Sequence, residues 1–128
     1  AGIATVAGSY PVHENCSPST PLPVIAFHGT ADYFVPYLGD TIQPSIPVWA
    51  NAWAERNGCQ NEAVVIFDQD GVLGKSWTGC DQDVVVSLYT VDEGGHQWLG
   101  SPTYQGVGGV VRRINATDMI WEFFEAYP

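Results

Sequence analysis

The chain has 128 residues, 45% of them hydrophobic, with a mean hydropathy of -0.01. That is enough for one modest globular domain around a single core, and too little for two. Four Lys and Arg stand against fourteen Asp and Glu, a formal charge of -10, which repels nucleic-acid phosphates and anionic lipid head groups, since both require clustered cations.

No apolar run approaches the roughly 20 residues of a membrane-spanning helix. Ala1-Gly2-Ile3 has neither the basic nor the apolar region of a leader, so the expectation is a soluble chain that begins after any signal peptide. Ile3 to Ala7 reads as a short buried strand stopped by Gly8-Ser9, and Pro11 to Pro23, with four prolines among Ser, Asn and Thr, as a loop of extended character. Val24-Ile25-Ala26-Phe27 is a continuous apolar run, as in a strand covered on both faces, and Gly29 ends it.

Ser45 is placed to cap a helix that tolerates Pro47 in its first turn. Trp49, Ala52, Trp53 and Arg56 follow helical spacing up to Gly58. Two further strands are expected at Val64 to Phe67 and Val84 to Thr90, the second running into Val91-Asp92-Glu93-Gly94-Gly95-His96. Asn115 is a candidate N-cap for a last helix, on which Met119, Ile120, Phe123, Phe124 and Tyr127 form one apolar stripe. This order of strands and helices predicts an α/β fold with a mostly parallel sheet and flanking helices.

In such sheets functional groups collect beyond the carboxyl ends of the strands. Two loops stand there, His28-Gly29-Thr30-Ala31-Asp32 and Gly94-Gly95-His96. A catalytic histidine needs a carboxylate on its far ring nitrogen, to fix one tautomer and to bear the positive charge that follows proton uptake. Asp32 and His96 supply such a pair, although by spacing alone an Asp after a strand equally fits a turn residue and a lone His a structural one.

Around these residues run Pro23-Val24-Ile25-Ala26-Phe27-His28-Gly29-Thr30-Ala31-Asp32, Val35-Pro36-Tyr37 and Trp53-Ala54-Glu55-Arg56-Asn57-Gly58-Cys59, then Leu88-Tyr89-Thr90, Gly94-Gly95-His96-Gln97-Trp98 and Ile120-Trp121-Glu122-Phe123-Phe124. In this order and over nearly the whole chain, they resemble the C-terminal part of the feruloyl esterase and polyhydroxybutyrate depolymerase group of α/β-hydrolases. The resemblance implies a secreted carboxylic-ester hydrolase without cofactor, with Asp32 as triad acid and His96 as triad base. It also implies a substrate that is a feruloyl ester of plant cell-wall polysaccharide or a polyester. The family pattern has proline where this chain has Leu99, which loosens the expectation for the loop after Trp98.

Triad members in that family follow the order Ser, Asp, His. No Gly-x-Ser-x-Gly occurs in the 128 residues, and none of Ser9, Ser17, Ser19, Ser45, Ser76, Ser87 or Ser101 stands between glycines at a strand-to-helix turn. The nucleophile and both oxyanion donors are therefore expected upstream, and the chain is expected to be one partial domain, residues 1–128, inactive alone. Half a hydrolase sheet would leave the strand near Ile3 to Ala7 as an unpaired edge. The expected partner is a companion N-terminal fragment or a second copy. The alternative is a non-catalytic remnant that only binds a partner chain.

Cys59 and Cys80 bracket a turn-rich stretch in a way that suits a disulfide, whereas a cytosolic chain would keep all three cysteines reduced and buried. With that bridge Cys16 is left over, pointing to a partner outside the chain. Asn115-Ala116-Thr117 and Asn15-Cys16-Ser17 are glycosylation tripeptides compatible with secretion. Asp68-Gln69-Asp70-Gly71 hints at a calcium loop, but Val72 and Gly79 stand where ligands belong, so a plain acidic turn is expected. Gly106-Val107-Gly108-Gly109 lacks the rest of a nucleotide fingerprint. His13 and His28 lack zinc spacing, so no metal is expected and His28 is read as a packing residue at a strand end. Trp98 stands as a candidate to stack on an aromatic acyl group or a sugar, and Tyr33, Phe34 and Tyr37 as candidate walls of the same cleft.

Overall fold

A computed structural model describes residues 1–10, 18–60, 62–102 and 113–128; His13, Cys16, the tripeptide at Asn15 and the glycine run at Gly106 lie outside them. The elements are β1 (Ile3–Val6), β2 (Val24–Gly29), α1 (Ile46–Arg56), β3 (Val64–Gln69), β4 (Val72–Trp77), β5 (Val86–Val91) and α2 (Ala116–Ala126), with a short 3-10 turn at Asp81–Asp83. One five-stranded sheet has the order β1-β2-β5-β4-β3.

The sheet is mixed, which corrects the expectation of a mostly parallel hydrolase-type sheet. β1, β2 and β5 pair in parallel, while β4 runs antiparallel to β5 and β3 antiparallel to β4. The described helices number two. The difference arises at β4, whose sequence Val-Leu-Gly-Lys-Ser-Trp lacks the apolar continuity of a buried strand. It nonetheless alternates, with Val72, Gly74 and Ser76 buried and Lys75 exposed, as a half-covered antiparallel strand does. Gly74 is paired with Tyr89, and a Cβ there would meet the Tyr89 ring at 2.7 Å. The glycine thus makes room for the aromatic ring of the neighbouring strand.

The acidic segment before β4 is the tip of the β3–β4 hairpin. Asp70 and Gly71 both have positive φ, 52° and 73°, the two-residue geometry that Asp-Gly favours because it matches the twist of the flanking strands. Asp70-Gly71 is the turn, while Asp68 and Gln69 belong to β3, paired with Leu73 and Val72, so the acidic turn is the tip of a hairpin that the sequence reading did not foresee.

Side chains of β2 alternate between two cores. Val24 and Ala26 pack with Val86 and Leu88 beneath Ile46, Trp49, Ala50, Trp53 and Ala54 of α1. Ile25 and Phe27 face the other way, with Val72, Val91, Leu99, Ile114 and Ala116, and are partly covered by Met119, Ile120 and Phe123 of α2. Both helices begin at the expected caps. Ser45 Oγ accepts from Val48 N at 3.4 Å, and Asn115 Oδ1 from Thr117 N at 3.0 Å, each satisfying an amide that the first turn leaves without a partner.

The end of α1 is stitched to its surroundings. Asn57 is fully buried, accepting from Leu22 N at 3.0 Å and donating to Leu22 O at 2.7 Å, which fixes the segment that enters β2. Cys59, just beyond the helix, is bonded to Cys80 after β4, so the bridge closes the base of the whole hairpin against α1. Its cysteines are 21 residues apart, and releasing such a loop is worth about 3 kcal/mol of denatured-chain entropy. Reduction, or the double substitution C59S/C80S, is expected to lower the melting temperature by about 10 °C. Calorimetry with and without reductant checks this; an unchanged transition would show that the bridge contributes nothing.

Candidate functional site

The ends of β2 and β5 meet backbone to backbone. A Cβ on Gly29 would run into the Gly94 backbone, so only glycine lets the two segments approach this closely. Hydrogen bonds then lace the loops: Thr30 N donates to Val91 O and Ala31 N to Gly94 O, both at 2.9 Å. The Thr30 hydroxyl accepts from Glu93 N at 2.9 Å and donates to Asp92 Oδ1 at 3.2 Å. Each loop thereby fixes the position of the other.

Asp32 and His96 project from these two loops and touch. His96 Nδ1 lies 3.0 Å from Asp32 Oδ2, and the two side chains are 40% and 0% exposed respectively. The other carboxylate oxygen, Oδ1, accepts from Phe34 N and Val35 N, both at 2.9 Å, in the manner of an Asx turn. A buried carboxylate is costly unless its lone pairs are matched by donors, and here two backbone amides and the His96 imidazole provide them. Because Oδ2 is an acceptor, Nδ1 of His96 carries the proton, leaving the Nε2 lone pair free of any partner among the described residues. The half-exposed ring is therefore oriented as a general base with its basic nitrogen directed away from the acid.

His28 is more than a packing residue. It is 1% exposed, with Nε2 2.8 Å from Val35 O and 3.3 Å from Asp32 Oδ2. Burial pushes its pKa below the ordinary value, against the raising effects of the Val35 carbonyl and the Asp32 charge and with a further lowering from His96. The ring is neutral near pH 7, so its contact with Asp32 is not an ion pair, and its Nε2–H is directed to Val35 O. Sequence reading missed this role; the four-residue spacing of His28 and Asp32 was the available signal, but spacing alone does not tell a core histidine from a ligand of the acid.

The aromatic candidates divide. Phe34 is exposed and tilted against His96, with ring centroids 5.3 Å apart, and Tyr33 beside it is exposed as well. Tyr37 instead turns inward, its hydroxyl 2.8 Å from Thr90 Oγ1. Trp98 is 44% exposed, and its indole N–H donates to Thr117 Oγ1 at 2.9 Å. It lines an open groove of about 620 Å³ with Ala4, Ile120, Trp121 and Phe124, a lining that does not include Asp32 or His96. Leu99, where the family pattern has proline, is buried in the α2-side core, and its carbonyl accepts from Ala116 N at 3.0 Å, which anchors the loop carrying His96.

Several serines are engaged elsewhere. Ser9 donates to Gln43, Ser45 caps α1, and Ser76 and Ser87 are buried against each other. No described serine is bonded to His96. Among the described residues no cluster of three or more His, Cys, Asp or Glu has the arrangement of a metal site.

Two outcomes follow from this geometry. Gly29→Ala is expected to cost about 2–3 kcal/mol, because backbone rather than a yielding side chain stands in the way; an unshifted urea midpoint would contradict the close approach. The second concerns His28, which stays neutral in the folded protein at a pH where the unfolded chain protonates it. Its contribution is fully present above the unfolded pKa of about 6.5 and is lost as pH falls below it. Urea midpoints between pH 7 and pH 5 should fall less steeply in His28→Gln than in wild type, and parallel curves would refute a buried neutral ring.

No protein-family model matches the chain and no curated protein matches it, so the reading of this site rests on its own geometry and on the motifs around it.

Proposed function

We propose that Asp32 and His96 are the acid and base of a serine carboxylic-ester hydrolase whose nucleophilic serine lies outside these 128 residues. The observation that carries this reading is the hydrogen bond from His96 Nδ1 to the buried Asp32 carboxylate, with the opposite ring nitrogen turned to a half-exposed surface. His96 Nε2 takes the proton of the serine hydroxyl as its oxygen attacks the ester carbonyl, and Asp32 stabilises the imidazolium that results. The same proton passes to the departing alcohol. A water, deprotonated by His96 in turn, then releases the acid from the acyl-serine, and the donors for the oxyanion come with the serine.

The resemblance to feruloyl esterases and polyhydroxybutyrate depolymerases supports an ester of an aromatic acid on polysaccharide, or a polyester, as substrate. Exposed Phe34 beside His96, with exposed Tyr33 next to it in the chain, fits an aromatic acyl group. The Cys59–Cys80 disulfide is compatible with an oxidising, extracellular location, and no described helix is long and apolar enough to cross a membrane.

A second reading, a chain whose role is to bind a partner, is favoured by the edge of the sheet. Among the described strands β1 pairs only with β2, and Trp121, 67% exposed, lies in the groove beside it. An open edge next to exposed aromatic surface invites strand addition. Both readings put another polypeptide there: the first requires a companion that brings a serine, whereas a second copy of this chain suffices for the second.

A fluorophosphonate probe separates the two readings, applied to the chain alone and to the chain with whatever polypeptide accompanies it. The esterase reading expects no label on the isolated chain and a labelled serine in the assembly, with hydrolysis of a feruloyl ester or polyester lowered by several orders of magnitude in His96→Ala. An assembly that neither labels nor hydrolyses either ester would refute catalysis and leave the binding role.

A further inference from the structure

We propose that His28 is a positioning residue for the acid–base pair: its Nε2–H holds the Asp32 turn through Val35 O, and its ring lies against the same carboxylate oxygen that receives His96. This rests on the reading of Asp32 and His96 as a working pair.

The assignment of the proton follows from the acceptor. Val35 O can only accept, so His28 Nε2, 2.8 Å away, must donate. The same nitrogen lies 3.3 Å from Asp32 Oδ2, a close polar contact beside the bond to Val35. Oδ1 is held by the amides of Phe34 and Val35, and Oδ2 by His96, with the buried His28 ring beside it.

The Val35 carbonyl and the Val35 amide belong to adjoining peptide units, so His28 grips on one side the residue that grips Asp32 on the other. Losing the ring donor would free the turn over residues 32 to 35. The carboxylate could then rotate, and the Nδ1–H tautomer of His96 would lose the fixed acceptor that selects it.

The surroundings keep His28 in this role. Thr90 is its partner on β5, and that residue's hydroxyl is tied to Tyr37, whose ring lies tilted 6.2 Å from the imidazole. The titratable groups facing His28 are therefore Asp32, His96 and Tyr37. Burial lowers the His28 pKa, so the ring donates one proton and remains neutral. A second full positive charge beside Asp32 would compete with the imidazolium that His96 must form, and a neutral donor avoids that competition.

The test is nitrogen-15 NMR of histidine-labelled chain, in wild type, His28→Leu and His28→Gln. Leucine fills similar space without a donor, whereas the glutamine amide can place an N–H near the former Nε2. In wild type, His28 must carry its proton on Nε2 and His96 on Nδ1. In His28→Leu the ratio of Nδ1–H to Nε2–H tautomers at His96 is expected to fall about three- to tenfold, the scale of one lost hydrogen bond. His28→Gln is expected to restore most of it.

An unchanged His96 tautomer ratio in a folded His28→Leu chain would overturn the proposal, as would a glutamine variant no better than leucine. If the leucine variant fails to fold, the wild-type spectrum still decides, because an Nδ1–H proton on His28 is incompatible with the bond to Val35. None of these readouts depends on ester hydrolysis. An inactive assembly would therefore refute the esterase reading without touching this one, and the reverse also holds.

Discussion

The backbones of β2 and of the loop after β5 touch at Gly29 and Gly94, and everything at the candidate site depends on that contact. Parallel pairing of β2 with β5 brings the carboxyl ends of both strands to the same edge of the sheet. Pairing alone would leave the two loops free to diverge. The absence of a Cβ at Gly29 lets the Gly94 carbonyl reach Ala31 N, and Thr30 then ties the Asp92–Glu93 turn from the other side. Asp32 and His96 are thereby held by short, rigid connections rather than by long loops, which is what a proton-transfer pair requires.

The pair in turn imposes demands on its neighbourhood. A carboxylate with no exposed side-chain surface must be matched by donors from within the fold. Asp32 obtains two from the turn that follows it and one from His96. His28, bonded to Val35 O and 3.3 Å from Oδ2, backs that turn, which explains why a histidine lies buried at the end of β2. On the His96 side, buried Leu99 anchors the loop to the α2-side core.

Local features were legible in the sequence. The caps at Ser45 and Asn115, the doubly buried run of β2 and the glycine turns before Asp32 and His96 are set by residues close in the chain, where propensity and hydrogen bonding act directly. The architecture of the sheet was not. β4 contains a glycine whose purpose is to accommodate Tyr89 on another strand, and Lys75 and Ser76 hide its alternation. The Asp70-Gly71 hairpin was the one local signal for it. Reading that turn as acidic only, without the strand that follows it, led to the expectation of a mostly parallel sheet. The Asp32–His96 pairing could be drawn from motif order, whereas His28 gave no such sign, because its partners are a carbonyl and a carboxylate brought to it by folding. Trp98 was foreseen beside the pair, yet its indole is tied to α2 and faces a groove of its own.

The account stands on His96 carrying its proton on Nδ1, donated to Asp32, with Nε2 bare. The imidazole nitrogen-15 spectrum of the wild-type chain near pH 7 tests this directly. It should show a protonated Nδ1 with a downfield, slowly exchanging proton that disappears in Asp32→Asn. A His96 ring protonated on Nε2, or one averaging freely between its two nitrogens, would contradict the account.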